Sequence, residues 1–142
     1  MAHILLVEDN RDDEELTLLA LAENHLATDI KVVRDGAEAL DFLFATGPYA
    51  DKKIDLPHLI LLDVKLPKVS GIEVLQRVKQ DKRTSKIPVV MLTSSREDPD
   101  VKRSYALGVN SYIVKPVDFN QFKEVIKLLG VYWQTRNVPP PG

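Results

Sequence analysis

Apolar runs alternate with amphipathic stretches along most of the chain. The runs predict five strands, at residues 4–7, 29–33, 59–62, 87–93 and 111–114. Helical spacing of apolar side chains predicts helices at residues 14–23, 37–46, 71–81 and 99–107 and in the stretch after Asp118. Strands and helices in such alternation favour an α/β fold, in which a doubly wound five-stranded parallel sheet carries helices on both faces.

The helical spacing also predicts which side chains face the core and where helices end. Gly47 and Gly108 are expected to stop the second and fourth helices. Residues 48–57 are polar and hold two prolines, so we expect a loop without an element of its own. The expected inward side chains are Leu16, Leu19, Ala20, Leu40, Leu43, Phe44, Ile72, Leu75, Val78, Val101, Tyr105, Leu107, Phe122, Ile126, Leu129 and Trp133.

Composition narrows the class of protein. The 142 residues, 44% hydrophobic and 28% charged, fit one domain over residues 1–135 followed by an extended proline-rich tail over 136–142. The absence of cysteine excludes a disulfide scaffold and a thiolate zinc site. A net charge of −2 without a basic cluster argues against nucleic-acid binding. The N-terminus turns acidic after four apolar residues, which fits neither a signal peptide nor a membrane span and suggests a cytoplasmic protein.

One carboxylate follows the most apolar run of the chain. Asp63 comes directly after four aliphatic residues, a pattern typical of a strand buried on both faces. Because an ionised carboxylate inside such a strand is costly, we expect Asp63 at its carboxyl end, where α/β sheets bind ligands. This stretch alone equally allows a turn residue leading into Leu66 and Pro67.

Polar residues end the other central strands as well. The carboxyl ends of parallel strands meet at one edge, so Glu8, Asp9, Asp63, Thr93 and Lys115 should converge there. Three carboxylates in one crevice require either a bound proton or a divalent cation, and oxygen ligands suit Mg²⁺. Together with a lysine, such a metal site can accept a phosphoryl group, because both cations neutralise the oxygens of the transferring group.

With these residues in place, the chain resembles the receiver domain of single-domain response regulators in two-component signalling. The resemblance runs from Ile4 to about Leu129 and rests jointly on the residues that match the family pattern. It implies a flavodoxin-like receiver fold with strand order 2-1-3-4-5. The matching residues are Glu8, Asp9, Asp63, Leu66, Pro67, Gly71, Thr93, Tyr112, Lys115 and Pro116.

The resemblance implies a role for each site residue. Asp63 would be the phosphoacceptor, and Asp9, Asp63 and the backbone carbonyl of Lys65 would bind Mg²⁺, with Glu8 acting through water. The other implied roles are phosphoryl binding by Thr93 and Lys115, an aromatic switch at Tyr112, and a cis peptide bond at Pro116. Such a protein is a signalling phosphoacceptor rather than an enzyme, although it promotes its own phosphorylation and dephosphorylation.

The resemblance also implies partners. A sensor histidine kinase would supply the phosphoryl group, and a downstream protein or a histidine phosphotransfer protein would receive the signal. The long 48–57 segment and the Tyr132-Trp133 pair before a proline-rich end are similar to the subgroup paired with bacterial phytochrome kinases. We expect a surface that binds a partner protein, formed by Tyr105, Tyr132 and Trp133. A second copy of this chain, in a homodimer, is one such partner.

Four other functions share part of this pattern. A phosphorelay intermediate would use the same site and pass its phosphoryl group onward. A flavodoxin-like cofactor module would need a hydroxyl- and glycine-rich loop where this chain has acidic residues 8–13. A haloacid-dehalogenase-type phosphatase would need an Asp where Lys65 stands. A receiver-like scaffold that no longer takes phosphate is disfavoured by the intact Asp63 and Lys115.

Overall fold

The alternation of strands and helices is present in the computed structural model, which describes residues 3–24, 29–94 and 98–137, with side chains up to residue 129. The described residues form five strands and five α-helices. The strands are β1 (His3–Val7), β2 (Asp29–Val33), β3 (Leu59–Asp63), β4 (Val89–Thr93) and β5 (Ser111–Val114). The helices are α1 (Arg11–Glu23), α2 (Gly36–Phe44), α3 (Gly71–Gln80), α4 (Pro99–Ala106) and α5 (Phe119–Asn137).

The strands form one parallel sheet in the order β2-β1-β3-β4-β5, which confirms the predicted fold. The register pairs Val7 with Leu62, and Thr93 with Val114, so the central strands end at nearly the same level. Both faces of β1, β3 and β4 are buried because helices cover the sheet on each side. Polar residues that follow these strands are therefore delivered to one edge.

Helix α1 begins three residues earlier than predicted and buries a different face. Asn10 caps it, its side chain accepting a hydrogen bond from the backbone N–H of Asp13. The prediction that Leu16 and Leu19 face the core is wrong, since they are 40% and 56% exposed. The leucines of this helix lie on more than one of its sides, so the spacing of apolar residues does not identify the buried face. The buried side chains are Thr17, Ala20 and Leu21.

Helix α2 ends earlier than predicted, and Gly47 does not cap it. Ala45 closes the helix in the left-handed conformation, with φ of 53°. Gly47 instead begins a short 3₁₀ turn, Gly47–Tyr49, so the following loop is not wholly without an element. The ring of Tyr49 packs edge-on against Phe42, with centroids 5.4 Å apart, and this contact holds the loop against α2. Leu43 is buried, and Leu40 packs against the core.

Most of the remaining inward predictions hold. Helix α3 buries its predicted apolar stripe. Helix α4 has few buried apolar side chains and is therefore thinly attached to the core, since Val101 is buried but Tyr105 is 49% exposed. Helix α5 buries Phe122 and Leu129 and continues to Asn137, two residues into the segment predicted as tail. The side chain of Trp133 and residues 138–142 lie outside the described part of the chain. Within that part, no helix has the length and apolarity to cross a membrane.

Candidate functional site

The carboxyl ends of the central strands open into a cleft of about 440 Å³. Its walls come from four places in the chain that are distant in sequence, as parallel strand ends require. Residues that line it and carry the argument below are Asp9, Asp13, Asp63, Lys65, Thr93 and Lys115. Four of these six, namely Asp9, Asp63, Thr93 and Lys115, were expected at this edge from the strand pattern, and the family resemblance implied Lys65.

Asp63 is the last residue of β3 and is buried at the floor of the cleft. Its Oδ1 accepts a hydrogen bond of 3.1 Å from the backbone N–H of Lys65, whose side chain is exposed at the rim. Helix α3 begins directly behind this residue. A Cβ atom on Gly71 would lie 2.1 Å from the carbonyl oxygen of Asp63, so only glycine allows α3 to approach this closely.

Two further carboxylates stand beside Asp63. One oxygen each from Glu8, Asp9 and Asp63 lies within 4.8 Å of the others, with Glu8 fully buried and Asp9 exposed. Glu8 Oε1 lies 2.9 Å from the Lys115 ammonium, yet it accepts no well-aligned hydrogen bond from any described residue. A buried carboxylate oxygen in this condition calls for a further partner. The donor set therefore fits a hard divalent cation.

The ammonium of Lys115 binds three carboxylates at once. Its Nζ donates to Asp63 Oδ2 at 2.7 Å, to Asp13 Oδ2 at 3.1 Å and to Glu8 Oε2 at 3.2 Å. Burial lowers the pKa of Lys115, but its hydrogen bonds with Asp63 and Glu8 outweigh burial and raise that pKa above the ordinary value. Lys115 is therefore a permanent cation at the floor of the cleft.

Sequence reasoning missed Asp13. The signal available was its place in the acidic stretch 8–13, close to Glu8 and Asp9. That stretch was expected to be a loop, and the early start of α1 instead places Asp13 in the first helical turn. The helix then presents this carboxylate to Lys115 across the cleft.

Glu8 has a raised pKa of about 7. Burial of its carboxyl group is the largest cause, followed by a hydrogen bond with Asp63 and the charge of that residue, while Lys115 opposes the shift. The ionised forms of Glu8 and Asp63 therefore repel each other in the acidic cluster. Both a bound proton and a divalent cation relieve this repulsion.

The expected switch residues lie on β4 and β5, the two strands beyond Asp63 in the sheet. Thr93 ends β4 at the cleft, and its carbonyl oxygen accepts a 2.7 Å hydrogen bond from the backbone N–H of Lys115. Tyr112 is partly buried in β5, and its ring packs edge-on against Tyr105 at 5.9 Å. The Lys115–Pro116 peptide bond is cis. The backbone of Tyr132 and Trp133 lies in α5, but their side chains are outside the described part of the chain.

A comparison with protein families decides what this arrangement is. The family model of the response regulator receiver domain matches residues 4–127. The chain belongs to this family. Receiver domains of response regulators are signalling proteins that act as phosphoacceptors, and histidine kinases phosphorylate them. Family membership removes the flavodoxin-like and phosphatase alternatives.

Curated relatives and solved structures agree with the family match. The probable methanogenesis regulatory protein FilR2 of Methanothrix harundinacea is 40% identical, with 96% of this chain and 86% of that protein covered. The response regulator Rcp1 of Synechocystis is 38% identical over 92% of this chain and 87% of its own.

Several similar structures are phytochrome-associated response regulators. The bacteriophytochrome response regulator RtBRR is 54% identical with a TM-score of 0.85, covering 100% of this chain and 86% of its own. AtBRR, another bacteriophytochrome response regulator, is 57% identical with a TM-score of 0.83, covering 94% of this chain and 95% of its own. Phosphorylated RcpA, a cyanobacterial phytochrome response regulator, is 40% identical with a TM-score of 0.76, covering 99% and 100%. Rcp1 has been solved in an Mn²⁺-bound form. The acidic cluster here is consistent with divalent-metal binding of that kind.

Proposed function

We propose that Asp63 is the residue that accepts the phosphoryl group. The observation that supports this is the 2.7 Å contact between its Oδ2 and the Lys115 ammonium at the floor of the cleft. In the reaction, a carboxylate oxygen of Asp63 forms a bond to phosphorus, and the bond from phosphorus to the donor breaks with its electron pair leaving on the donor. The product is an acyl phosphate on Asp63.

The neighbouring residues provide charge and position rather than covalent chemistry. Lys115 places a positive charge beside the carboxylate, where phosphoryl oxygens will lie once the bond has formed. Thr93 lines the same cleft, and its hydroxyl is proposed to donate to a phosphoryl oxygen. The backbone N–H of Lys65 holds the orientation of the Asp63 carboxylate before transfer.

Mg²⁺ is the proposed physiological cation. Asp9, Asp63 and the carbonyl oxygen of Lys65 would hold it directly, with Glu8 contributing through an intervening water, since oxygen-only ligands and retained waters suit this ion. When bound, the metal supplies positive charge to the oxygens of the transferring group. Glu8 Oε1 supports this assignment, because it is buried and accepts no well-aligned hydrogen bond from the described residues.

The proposed output runs through Thr93 and Tyr112. A shift of Thr93 toward the phosphoryl group would free space for Tyr112, which packs on the half-exposed Tyr105 of the thinly attached α4. Tyr105, Tyr132 and Trp133 are proposed to form the partner surface. Contacts there would be with a second copy of this chain, a downstream protein or a histidine phosphotransfer protein.

The proposed phosphodonor is a histidine kinase of the phytochrome type. Support comes from RtBRR and AtBRR, both named bacteriophytochrome response regulators, which are more than half identical to this chain. A cytoplasmic location remains a prediction that accompanies this partner. Phosphotransfer profiling against a panel of histidine kinases tests the proposed phosphodonor, and we expect the phytochrome-type kinase to transfer fastest.

Incubation with acetyl phosphate and Mg²⁺ tests the chemistry directly. Intact-mass measurement should show one added phosphoryl group on the wild type, none on Asp63→Asn, and none on the wild type in excess EDTA. Asp51→Asn, a change of an exposed carboxylate in the 48–57 loop, is the matched control and should be phosphorylated like the wild type. Normal phosphorylation of Asp63→Asn would refute the assignment.

A further inference from the structure

Every N–H bond of the Lys115 ammonium has a carboxylate partner in the unphosphorylated protein. An ammonium group has three donors. They are directed to Asp63, Asp13 and Glu8 at 2.7, 3.1 and 3.2 Å. Phosphorylation removes the charge of the Asp63 carboxylate, so the donor directed to Asp63 can pass to a phosphoryl oxygen. Any further hydrogen bond from Lys115 to the phosphoryl group must compete with Asp13 or Glu8.

We propose that Asp13 competes with the phosphoryl group for the Lys115 ammonium. This inference rests on the proposed function of Asp63 and adds a competing residue to it. Glu8 is the weaker candidate of the two, because it is fully buried and bulk solvent cannot replace its contact with Lys115. The Asp13 side chain is 28% exposed, so water can replace the contact that it loses.

The backbone of Asp13 is fixed while its side chain is free to exchange partners. Asn10 accepts a hydrogen bond from the Asp13 N–H at 2.9 Å, and Thr17 donates to its carbonyl oxygen at 2.9 Å. Neither bond involves the carboxylate. Phosphorylation would thus release a negative charge in the first turn of α1, where the helix dipole stabilises it, without unfolding that turn.

Competition has a direction that can be measured. In the unphosphorylated state, Asp13 stabilises the resting position of Lys115 and adds negative charge near the site of an incoming anion. Removing this charge should favour the phosphoryl-bound state. Asp13 is in this sense a positioning residue for Lys115, and it opposes phosphorylation.

Beryllofluoride, a non-covalent mimic of the phosphoryl group, provides an equilibrium test on the full chain at saturating Mg²⁺. Asp13→Asn should bind it roughly threefold to tenfold more tightly than the wild type, the range expected for loss of one partly exposed charge contact. Asp13→Glu, which keeps the charge, should stay near wild-type affinity. Asp12→Asn changes the neighbouring exposed carboxylate and is the matched control for a general effect of charge.

Each outcome separates the competition from the underlying function. Unchanged or weaker binding by Asp13→Asn overturns the competition, as does an equal gain in Asp12→Asn or Asp13→Glu. If Asp63→Asn binds beryllofluoride as well as the wild type does, the phosphoacceptor assignment itself fails. Thermal unfolding of each variant verifies the folded state, and loss of fold is unexpected because Asp12 is exposed and Asp13 is partly exposed.

Discussion

The Lys115 ammonium lies 2.7 Å from the Asp63 carboxylate, although β4 separates their strands in the sheet. The backbone also helps to set this contact, because the N–H of Lys115 is hydrogen-bonded to the carbonyl oxygen of Thr93 at the end of β4. The three strand ends are thus joined at the floor of the cleft. Because the ion pair is largely buried, the geometry around it should be sensitive to small changes in the surrounding backbone.

Gly71→Ala should destabilise the protein by about 2 kcal/mol or more, because the added methyl group would overlap the Asp63 carbonyl oxygen. Urea denaturation followed by circular dichroism measures the change in the free energy of unfolding. Gln76→Ala, an exposed change in the same helix, is the control and should stay within about 0.5 kcal/mol of the wild type. Equal stability of both variants would show that α3 can move away from Asp63 at little cost.

The apparent affinity for Mg²⁺ should rise roughly tenfold between about pH 6 and about pH 8, because the cation favours ionised Glu8, whose pKa is about 7 without metal. The sign is opposite for the stability of the metal-free protein. Folding raises the pKa of Glu8 from 4.5 to about 7. The contribution of Glu8 to the free energy of unfolding is therefore fully present below pH 4.5 and is lost as pH rises through about 7.

Calorimetric titration with Mg²⁺ across this pH range measures the effect on affinity. Glu8→Gln should give a flatter profile, whereas Glu15→Gln, an exposed change on α1, should follow the wild type. A profile in Glu8→Gln as steep as in the wild type would assign the proton to another group.

Lys65→Ala should change the rate of autodephosphorylation severalfold, because Lys65 lines the cleft that holds Asp63 and its exposed side chain is cationic. Mg²⁺ affinity should be nearly unchanged, since only the backbone of Lys65 is expected to contact the metal. Loss of phosphoprotein over time, followed by intact mass, gives the rate. Lys82→Ala, an exposed change just after α3, is the control. An unaltered lifetime in Lys65→Ala would remove this residue from the dephosphorylation step.

Trp133→Ala should weaken self-association or kinase docking, because aromatic side chains near the end of α5 would anchor such a contact. Sedimentation across a concentration series, with and without beryllofluoride, measures association. Trp133→Phe is the matched variant and should retain most of it. If the wild type and Trp133→Ala remain monomeric throughout and bind the kinase equally well, the partner surface lies elsewhere.

The sequence by itself determined the sheet and the meeting of its polar strand ends. Uninterrupted aliphatic runs identify buried parallel strands, and parallel strands deliver the residues that follow them to one edge. Glu8, Asp9, Asp63, Thr93 and Lys115 could therefore be placed together without coordinates, and the structure places them at one cleft. The physical reason is that strand direction is a property of the topology rather than of any single side chain.

Only the tertiary structure decided the rotation and the exact limits of the helices. Leucines at positions 16, 18, 19 and 21 allow more than one inward face for α1, and packing against the sheet and α5 selects the face with Ala20 and Leu21. That rotation also brings Asp13 to Lys115, a contact 102 positions apart that no local spacing encodes. Helix ends and side-chain partners of this kind depend on the sum of weak long-range contacts, which a pattern of apolar residues does not contain.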